Sequence, residues 1–515
     1  MINILWADDE IDLLKPHIIY LEKKGYKIYP VKSGDEAIEI LNERNFDLIF
    51  LDENMPGLSG LETLNIINLR HSSLPVVMIT KNEEESIMDE AIGSKISDYL
   101  IKPVNPNQIL LAIKKNIDSS RIVGEKTTIK YQKNFQEISS KLSSISDISE
   151  WYEMHKILIY WQKEIENASE NNIDMILKMQ QSEANSLFFK FVKSNYKSWV
   201  NGIDSPIMSH SILKKKVFPF LNDKISTYFV VIDNLRYDQW KTIEPLFIEN
   251  FEVENDEIYT SILPTSTQYS RNSIFAGLLP SEIQKKYPDL WKNDDEEGGK
   301  NNFEEQLLER NLQLHGMSNI KFSYNKITNF DSGKKLLSKI NNLSSYSLNV
   351  IVYNFVDMLS HARSDMKVIK ELASDDSAYR SLTSSWFSHS PLKDILTQIS
   401  KQGAKLIITT DHGTINVNKP SKIIADKSVN TNLRYKTGKY LKFNKNDVFE
   451  MKNPNEYFLP SQNINSKYIF AKEDLYFIYN NNYNRFVNLF KDTYQHGGIS
   501  MEEMLVPLIT LNSKK

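Results

Sequence analysis

The segment GAKLIITTDHG, residues 403–413, ends an apolar run with an acid, an imidazole and a glycine. Its apolar residues, Leu406 to Ile408, predict a buried β-strand. Asp411 and His412 follow at the predicted carboxyl end of that strand, where one cleft can receive both side chains. A carboxylate oxygen and an imidazole nitrogen suit zinc or a similar divalent ion. Gly413 is predicted to turn the backbone sharply past the metal, so the segment indicates one part of a metal site.

Composition restricts the classes of protein that this chain can represent. Its 515 residues give room for roughly three domains. A net charge of −4 argues against a protein that coats nucleic acid. The absence of cysteine excludes disulfides, thiolate zinc sites and cysteine nucleophiles, and it fits a reducing compartment. The N-terminus lacks a signal-peptide pattern and no run approaches the roughly eighteen apolar residues of a membrane span, so a cytoplasmic location is expected.

Residues 1–118 alternate short apolar runs with amphipathic stretches, such as 10–24 and 34–43. This alternation predicts a domain with a parallel, doubly wound five-stranded sheet. A last helix is predicted to begin at Asn105-Pro106 and to extend to about Ile117. The five predicted strands are Asn3–Trp6, Lys27–Val31, Asp47–Leu51, Pro75–Ile79 and Asp98–Ile101.

Composition changes predict two further regions. Residues 119–205 contain no proline and little glycine, which predicts an α-helical bundle linker of three or four helices with its aromatic residues in the core. Residues 206–515 return to an alternating α/β pattern, and the segments 281–345 and 418–485 interrupt it as insertions that could cap a cleft. The strongest predicted strands there are Tyr228–Ile232, Asn349–Phe355, Lys405–Thr409 and Met504–Leu511.

Chemically active residues follow four of the five N-terminal strands. They are Asp8 and Asp9 after the first, Asp52 after the third, Thr80 after the fourth and Lys102 after the fifth. Ligands of open parallel sheets bind outside the carboxyl ends of the strands, so these side chains are expected to converge. Three carboxylates together favour Mg²⁺ between them. Asp52 could attack a phosphorus atom, Lys102 could pair with the transferred phosphoryl group, and Thr80 could hydrogen-bond to it.

These motifs resemble the receiver domains of two-component response regulators over residues 1–118. The matching motifs are DD at 8–9, FLDENMPGLSG at 50–60, Thr80, and DYLIKP at 98–103. The resemblance implies that Asp52 takes a phosphoryl group from a sensor histidine kinase. It also implies that Asp9, Asp52 and the backbone carbonyl of Asn54 hold magnesium, and that Thr80 and Tyr99 form a switch pair. A plain core position for Tyr99 is the alternative.

Acids and histidines also stand at predicted strand ends in the C-terminal region. Six such ligands suffice for two metal ions with three protein ligands each, which leaves open positions for a substrate. Two neighbouring ions suit in-line displacement at the phosphorus of an anionic phosphoester. The six residues are Asp233, Asp357, His361, Asp411, His412 and His496.

A hydroxyl nucleophile is available just before or at the start of a predicted helix, residues 267–276. The candidates are Thr265, Ser266 and Thr267. Free backbone N–H groups and the helix dipole favour a phosphate at such a position. The same residues fit ordinary helix N-caps equally well.

The order of these residues over 206–515 resembles the alkaline phosphatase superfamily, and within it the PglZ-type domain. The ending HGGISMEEMLVPLITL also matches. The resemblance implies that Asp357, His361 and His496 hold one zinc ion, that Asp233, Asp411 and His412 hold a second, and that Thr267, or second to it Thr265, is the bridging nucleophile. Residues 266–271, STQYSR, lack the Cys/Ser-x-Pro-x-Arg pattern of sulfatases, which argues against that branch. For Arg271, phosphate contact and an ion-pair role remain alternatives.

The full domain order resembles the PorX-type response regulators. The resemblance implies homodimerisation on phosphorylation, a zinc-dependent phosphodiesterase acting on small or cyclic oligonucleotides, and a link to type IX secretion. No helix-turn-helix with basic base-reading residues is found, so direct binding of duplex DNA is not expected. The alternative is a metal-stabilised signalling module that binds a sigma factor or a secretion-system component without relevant catalysis.

Overall fold

The computed structural model describes residues 2–71, 74–81, 96–168, 171–221, 225–294, 296–354, 375–425, 430–461, 465–481 and 483–514, with the side chains of 118–126, 168 and 171–172 excepted. The chain divides into two compact units. The first comprises residues 1–133 and 164–171, and the second comprises 134–163 and 172–515. Among the helices of the described residues, none has the length and apolarity needed to cross a bilayer.

The first unit contains a parallel five-stranded sheet in the order β2-β1-β3-β4-β5. Central strands β3 and β4 are buried along their whole length, as their uninterrupted apolar runs predict. Separate apolar clusters pack on the two faces of the sheet, so the predicted doubly wound α/β fold is confirmed. The strands are β1 Ile2–Ala7, β2 Tyr26–Val31, β3 Leu48–Asp52, β4 Val76–Thr80 and β5 Asp98–Ile101.

Two helices of this unit begin at reciprocal side-chain caps that the sequence supplies. Ser59 and Glu62 form a reciprocal capping box at the start of α3, and Asn105 and Gln108 form another at the start of α4. A π-helical turn, Lys114–Asp118, follows α4. The helices are α1 Lys15–Glu22, α2 Gly34–Glu43, α3 Gly60–Arg70 and α4 Pro106–Ile113.

Three long helices occupy the predicted linker: α5 Ser119–Ser144, α6 Ile148–Ala168 and α7 Asn171–Val200. The division between the units cuts α5 after Lys133, α6 after Lys163 and α7 after Asn171. Residues of α6 and α7 in the second unit contact the C-terminal domain directly. The Tyr152 hydroxyl lies 2.8 Å from Thr260 Oγ1, and Lys156 donates to the backbone oxygen of Asp256. These parts of the linker therefore pack as one body with the C-terminal domain.

The second unit is built on a six-stranded mixed sheet in the order β7-β18-β10-β6-β9-β8. Strands β10, β6, β9 and β8 run parallel, whereas β18 is antiparallel to β10 and to β7. Every residue of β6 and β9 is buried, which places the core on both sides of the sheet. The strands are β6 Thr227–Ile232, β7 Phe251–Thr260, β8 Phe322–Ile327, β9 Leu348–Tyr353, β10 Lys405–Thr409 and β18 Leu505–Ser513.

The two predicted insertions differ in kind. Segment 281–345 supplies β8 to the central sheet, so it is not wholly an insertion. Segment 418–485 forms small separate sheets, and a further small sheet is made by two strands, β11 and β17, that flank this segment in sequence. The strands of the small sheets are β11 Ile415–Val417, β12 Lys419–Ile423, β13 Tyr435–Gly438, β14 Val448–Met451, β15 Lys467–Ala471, β16 Leu475–Tyr479 and β17 Thr493–Gln495.

The remaining helices cover the sheet and carry the loops of its carboxyl edge. Among them, α9 begins at Thr267 and ends at Ala276. Its C-cap residue Gly277 has a φ of +64°, the left-handed geometry common after a helix C-terminus. They are α8 Tyr237–Ile248, α9 Thr267–Ala276, α10 Pro280–Lys286, α11 Glu304–Leu314, α12 Phe330–Leu337, α13 Asp376–His389, α14 Pro391–Lys401, α15 Tyr483–Phe490 and α16 Met501–Met504.

Candidate functional site

Three carboxylates meet at the carboxyl ends of β1 and β3 in the first unit. Oxygens of Asp8, Asp9 and Asp52 lie within 4.8 Å of one another. Lys102, which follows β5, places Nζ 2.8 Å from Asp8 Oδ2 and 2.8 Å from Asp52 Oδ2. Asp52 Oδ1 is buried and has no hydrogen-bond partner among the described residues. An oxygen-only donor set with one such buried oxygen fits a hard cation such as Mg²⁺.

The electrostatic balance of this cluster depends on burial and on Lys102. Burial raises the pKa of Asp52; the hydrogen bond and charge of Lys102 offset this effect only in part, and Asp8 and Asp9 raise the pKa further. Burial lowers the pKa of Lys102, but its hydrogen bonds to Asp52 and Asp8 reverse that effect and raise it above the usual value. The cluster is therefore rich in negative charge, which a divalent cation would neutralise.

The predicted switch residues lie on neighbouring strands of the same sheet. Thr80 is buried at the end of β4, and the half-buried Tyr99 hydrogen-bonds to it from β5. Tyr99 also packs against one of the two apolar clusters of the sheet, so its contacts accommodate a switch role and a core role alike. Asn54 is exposed in the loop after β3, two residues beyond Asp52.

A second acid and histidine cluster lies at the carboxyl edge of the six-stranded sheet. Strands β6 and β10 are parallel neighbours with Val231 opposite Thr409, so the residues that follow them emerge side by side. Donor atoms of Asp233, Asp411 and His412 lie within 4.8 Å of one another, and all three residues are buried. Burial would raise the pKa of Asp411, but the charges of Arg271 and His412 outweigh it and hold that pKa well below its usual range.

His412 and His496 are both oriented through their Nδ1 atoms. His412 Nδ1 lies 3.1 Å from the backbone oxygen of Gly413, and His496 Nδ1 lies 3.1 Å from that of Thr265. Because a carbonyl can only accept, both Nδ1 atoms donate, and each Nε2 is the ring atom that would supply a lone pair to a metal. The two rings stack with centroids 4.2 Å apart. The structure thus brings His496 beside His412, across a long separation in sequence.

The three candidate hydroxyls have different surroundings. Thr265 is fully buried; its Oγ1 donates to the backbone oxygen of Gly498 and accepts from the N–H of Gly497. Thr267 is half-buried at the first position of α9, with Oγ1 3.2 Å from His412 Nε2. Thr265 therefore anchors the loop that carries His496, whereas Thr267 faces the metal-ligand cluster. Ser266 is the N-cap residue of α9 and makes no side-chain capping bond.

Arg271 lies one turn after Thr267 and is completely buried within the same cluster. Its Nη2 pairs with Asp233 Oδ2 and lies 3.0 Å from Asp411 Oδ2, while its Nε lies 3.1 Å from that same Asp411 oxygen. Of the two roles left open by the sequence, the structure shows the buried ion pair. Glu304, at the start of α11, is also buried, with Oε1 3.6 Å from Arg271 Nη1. No sequence signal distinguishes Glu304, because an acid in the first turn of a helix is ordinary.

The role predicted for Gly413 needs correction. Gly413 is not among the glycines with positive φ, so a sharp left-handed turn is not what requires it. A Cβ at this position would lie 2.0 Å from the backbone oxygen of Glu502. The glycine is needed because the β10 loop and the segment before β18 approach too closely for any side chain.

The predicted ligands Asp357 and His361 lie outside the described residues. The other four predicted ligands of the C-terminal region come together, three of them within one cluster of donor atoms. Two carboxylates and an imidazole with its Nε2 lone pair are a donor set that fits zinc. The arrangement can therefore bind a cation in a buried position beside a hydroxyl at a helix N-terminus.

Comparison with known proteins assigns these regions to three families. A model described as "BREX system PglZ alkaline phosphatase-like domain" matches residues 212–511. A "Response regulator receiver domain" matches 4–114, and a "PorX response regulator linker domain" matches 121–200.

Similar individual proteins include two transcriptional regulators and a solved receiver domain. The transcriptional regulatory protein ResD of Bacillus subtilis is 36% identical over 112 residues, and SrrA of Staphylococcus aureus is 32% identical over 112 residues. Each alignment covers 22% of this chain and 46% of the relative, so the chain spans about half the length of these curated proteins. The receiver domain of NtrX from Brucella abortus is 30% identical, with 22% of this chain and 98% of that structure covered and a TM-score of 0.22.

Proposed function

Because this chain belongs to the PglZ family of alkaline phosphatase-like domains and is a response regulator with a receiver domain and a PorX-type linker, we propose that phosphorylation of Asp52 controls a metal-dependent phosphodiesterase in the C-terminal domain. In this proposal residues 1–118 receive the signal, 119–205 form the linker and 206–515 form the effector. The observation that carries it is the placement of Thr267 Oγ1 3.2 Å from His412 Nε2, beside Asp233 and Asp411.

The proposed reaction is hydrolysis of a phosphodiester through a covalent intermediate. Thr267 Oγ attacks phosphorus, a new Oγ–P bond forms, and one ester P–O bond breaks as its alcohol leaves with a proton. Water then cleaves the Oγ–P bond, which restores the hydroxyl and releases a phosphate monoester. The N-terminus of α9 supports the nucleophile, since its free N–H groups stabilise phosphate charge.

The side chains that would hold zinc are Asp233, Asp411 and His412 for one ion, with Asp357, His361 and His496 for the other. Bound zinc would lower the pKa of the attacking hydroxyl and neutralise charge on the phosphate. From the resemblance to the PorX-type response regulators, the proposed substrates are small or cyclic oligonucleotides. The proposed role is regulation of type IX secretion from the cytoplasm.

The receiver supplies the proposed input. A sensor histidine kinase would donate the phosphoryl group to Asp52, with Mg²⁺ held by Asp8, Asp9, Asp52 and the carbonyl of Asn54. Lys102 would pair with the phosphoryl group and Thr80 would hydrogen-bond to it, so that Tyr99 follows Thr80 inward. These roles are supported by the contacts of Lys102 and by the Thr80–Tyr99 hydrogen bond.

The proposal is tested by metal analysis and a substrate panel with the full chain. About two zinc ions per chain are expected, together with hydrolysis of linear or cyclic dinucleotides. Thr267→Ala is expected to reduce diesterase activity by at least about a thousandfold with zinc retained. Ser266→Ala, the neighbouring hydroxyl, serves as the matched control and is expected to keep activity near the wild-type level.

Two outcomes would contradict the proposal. Full activity in Thr267→Ala with zinc bound would remove Thr267 from the nucleophile role. Zinc without hydrolysis of any phosphoester would favour the alternative, a metal-stabilised module that binds a sigma factor or secretion-system component.

A further inference from the structure

Arg271 occupies an unusual position relative to the ligands proposed for zinc. Its guanidinium group is fully buried and contacts two of them, Asp233 and Asp411. Both contacts use the Oδ2 atom of the carboxylate. A guanidinium group stays protonated in proteins, so this fixed positive charge sits directly on two proposed metal ligands.

The second carboxylate oxygen of Asp411, Oδ1, is already hydrogen-bonded to the backbone. It lies 3.3 Å from the N–H of Asn234 and 3.2 Å from that of His412, which turn this oxygen toward the backbone. The Oδ2 atom faces His412 Nε2 at 3.7 Å and accepts a hydrogen bond from Arg271 Nε. It also forms an ion pair with Arg271 Nη2 at 3.0 Å. A metal ion bound by Asp411 and His412 must therefore use the same carboxylate oxygen that Arg271 contacts.

The other edge of the guanidinium group has different partners. Arg271 Nη1 lies 3.1 Å from Asn354 Oδ1 and 3.6 Å from Glu304 Oε1. Neither residue belongs to the proposed ligand set. Glu304 is held in place by Lys326 Nζ at 2.9 Å and by the hydroxyl of Tyr324. If the guanidinium group leaves the two aspartates, it can keep Glu304 and Asn354 as its partners.

We propose that Arg271 is an internal cation that competes with zinc for the carboxylates of Asp233 and Asp411, and that zinc binding moves its guanidinium group toward Glu304 and Asn354. This inference rests on the proposed function, because it takes Asp233, Asp411 and His412 as metal ligands. Arg271 thereby sets the zinc affinity of the site. The opposite role, a residue that orients the carboxylates for the metal, would make Arg271 a helper of zinc binding.

The two roles predict opposite changes in zinc affinity for Arg271→Gln. The measurement is competition with a fluorescent zinc chelator, on the metal-stripped full chain, in excess Mg²⁺ to saturate the receiver. Competition predicts that Arg271→Gln binds zinc about tenfold or more tightly than wild type, because a positive charge next to the ion is removed. Zinc is also expected to raise the Tm of the variant by more than it raises that of wild type, since the ion replaces the lost charge.

Arg380→Gln is the matched control. Arg380 is equally buried and pairs with Asp238, which is not a proposed zinc ligand. This variant is expected to lose stability and to keep the wild-type zinc affinity. Arg271→Lys keeps the charge but not the two-atom contact with Asp411, so its zinc affinity is expected to lie between wild type and Arg271→Gln.

If the wild-type protein binds zinc and Arg271→Gln binds it equally or more weakly, this inference is overturned while the metal assignment stands. If neither protein binds zinc, the metal assignment fails and the inference fails with it. Should Arg271→Gln fold only with zinc, competition is supported. If Arg271→Gln does not fold at all, the test uses the NMR signal of the Arg271 Nε–H proton in the wild-type protein, which is assigned by its absence from Arg271→Lys. Zinc addition is expected to make this proton exchange faster with water. Unchanged exchange overturns the inference.

Discussion

At the scale of single residues, burial of the Asp52 carboxylate lowers the stability of the fold. Burial raises its pKa, and Lys102 compensates only in part. At pH values between the pKa of Asp52 in the unfolded chain and its higher pKa in the folded chain, the folded state binds more protons. The contribution of Asp52 to stability is therefore lost as pH rises through that window. At neutral pH the ionised carboxylate therefore destabilises the fold, and Mg²⁺ would offset this effect.

We expect Asp52→Asn to stabilise the receiver at pH 7 without divalent ions, by on the order of 1 kcal/mol. The difference should vanish below the ordinary pKa of aspartate, where both side chains are neutral. Chemical denaturation across pH measures this, with and without Mg²⁺. Mg²⁺ should stabilise wild type more than the variant; equal Mg²⁺ effects would argue against Asp52 as a ligand.

Gly413 tests the close approach of two loops at the proposed zinc site. Gly413→Ala would place Cβ 2.0 Å from the Glu502 carbonyl oxygen, so we expect a loss of about 3 kcal/mol or more. Gly403→Ala is the control: its φ is +66° and nothing lies within 4 Å, so only backbone strain of about 1–2 kcal/mol applies. Denaturant midpoints measure both, and comparable losses in the two variants would contradict the packing explanation.

At the scale of elements, α7 of the linker holds the short helix α16 near the site. Asn185 Nδ2 lies 3.1 and 3.0 Å from the two carboxylate oxygens of Glu502, and its Oδ1 accepts from the N–H of Met501. Burial raises the pKa of Glu502, and Asn185 counteracts it. One amide thus satisfies a half-buried acid and a helix N-terminus, and it joins the linker to the segment between His496 and β18.

Asn185→Leu is expected to destabilise the second unit by about 2 kcal/mol, because buried polar groups of α16 lose their partner. Asn195→Leu makes the same change on the same helix, where the amide, within the described part of the chain, bonds to the Phe191 carbonyl of its own helix. Thermal unfolding of both variants measures the difference. Equal Tm values for the two variants would show that the contact of Asn185 with α16 contributes little.

At the scale of the whole molecule, the proposed phosphorylation site and the proposed zinc site belong to different compact units. Control of one site by the other therefore requires a signal that passes between the two units. We expect beryllofluoride with Mg²⁺, a mimic of the phosphoryl group, to convert the protein to a homodimer. Light scattering measures the mass, and Asp52→Asn should remain unchanged. A wild-type mass that does not respond would contradict control by dimerisation.

Much of this protein could be predicted from its sequence. Strand ends are visible as apolar runs that stop at a polar residue, and parallel strands deliver those residues to one edge of the sheet. Asp8, Asp9, Asp52 and Lys102 could be grouped in this way, as could Asp233, Asp411 and His412. The α/β folds of both units and the helical linker were predictable for the same reason, since each depends on a local and periodic pattern.

Only the tertiary structure decided which neighbour each polar group faces. Thr265 and Thr267 look alike in sequence, yet one bonds to the loop of Gly497 and Gly498 and the other faces His412. The pairing of Arg271 with Asp233 and Asp411, and the need for glycine at 413, depend on segments far apart in the chain. Spacing along one strand or helix carries no information on such contacts, because they are set by how separate elements pack.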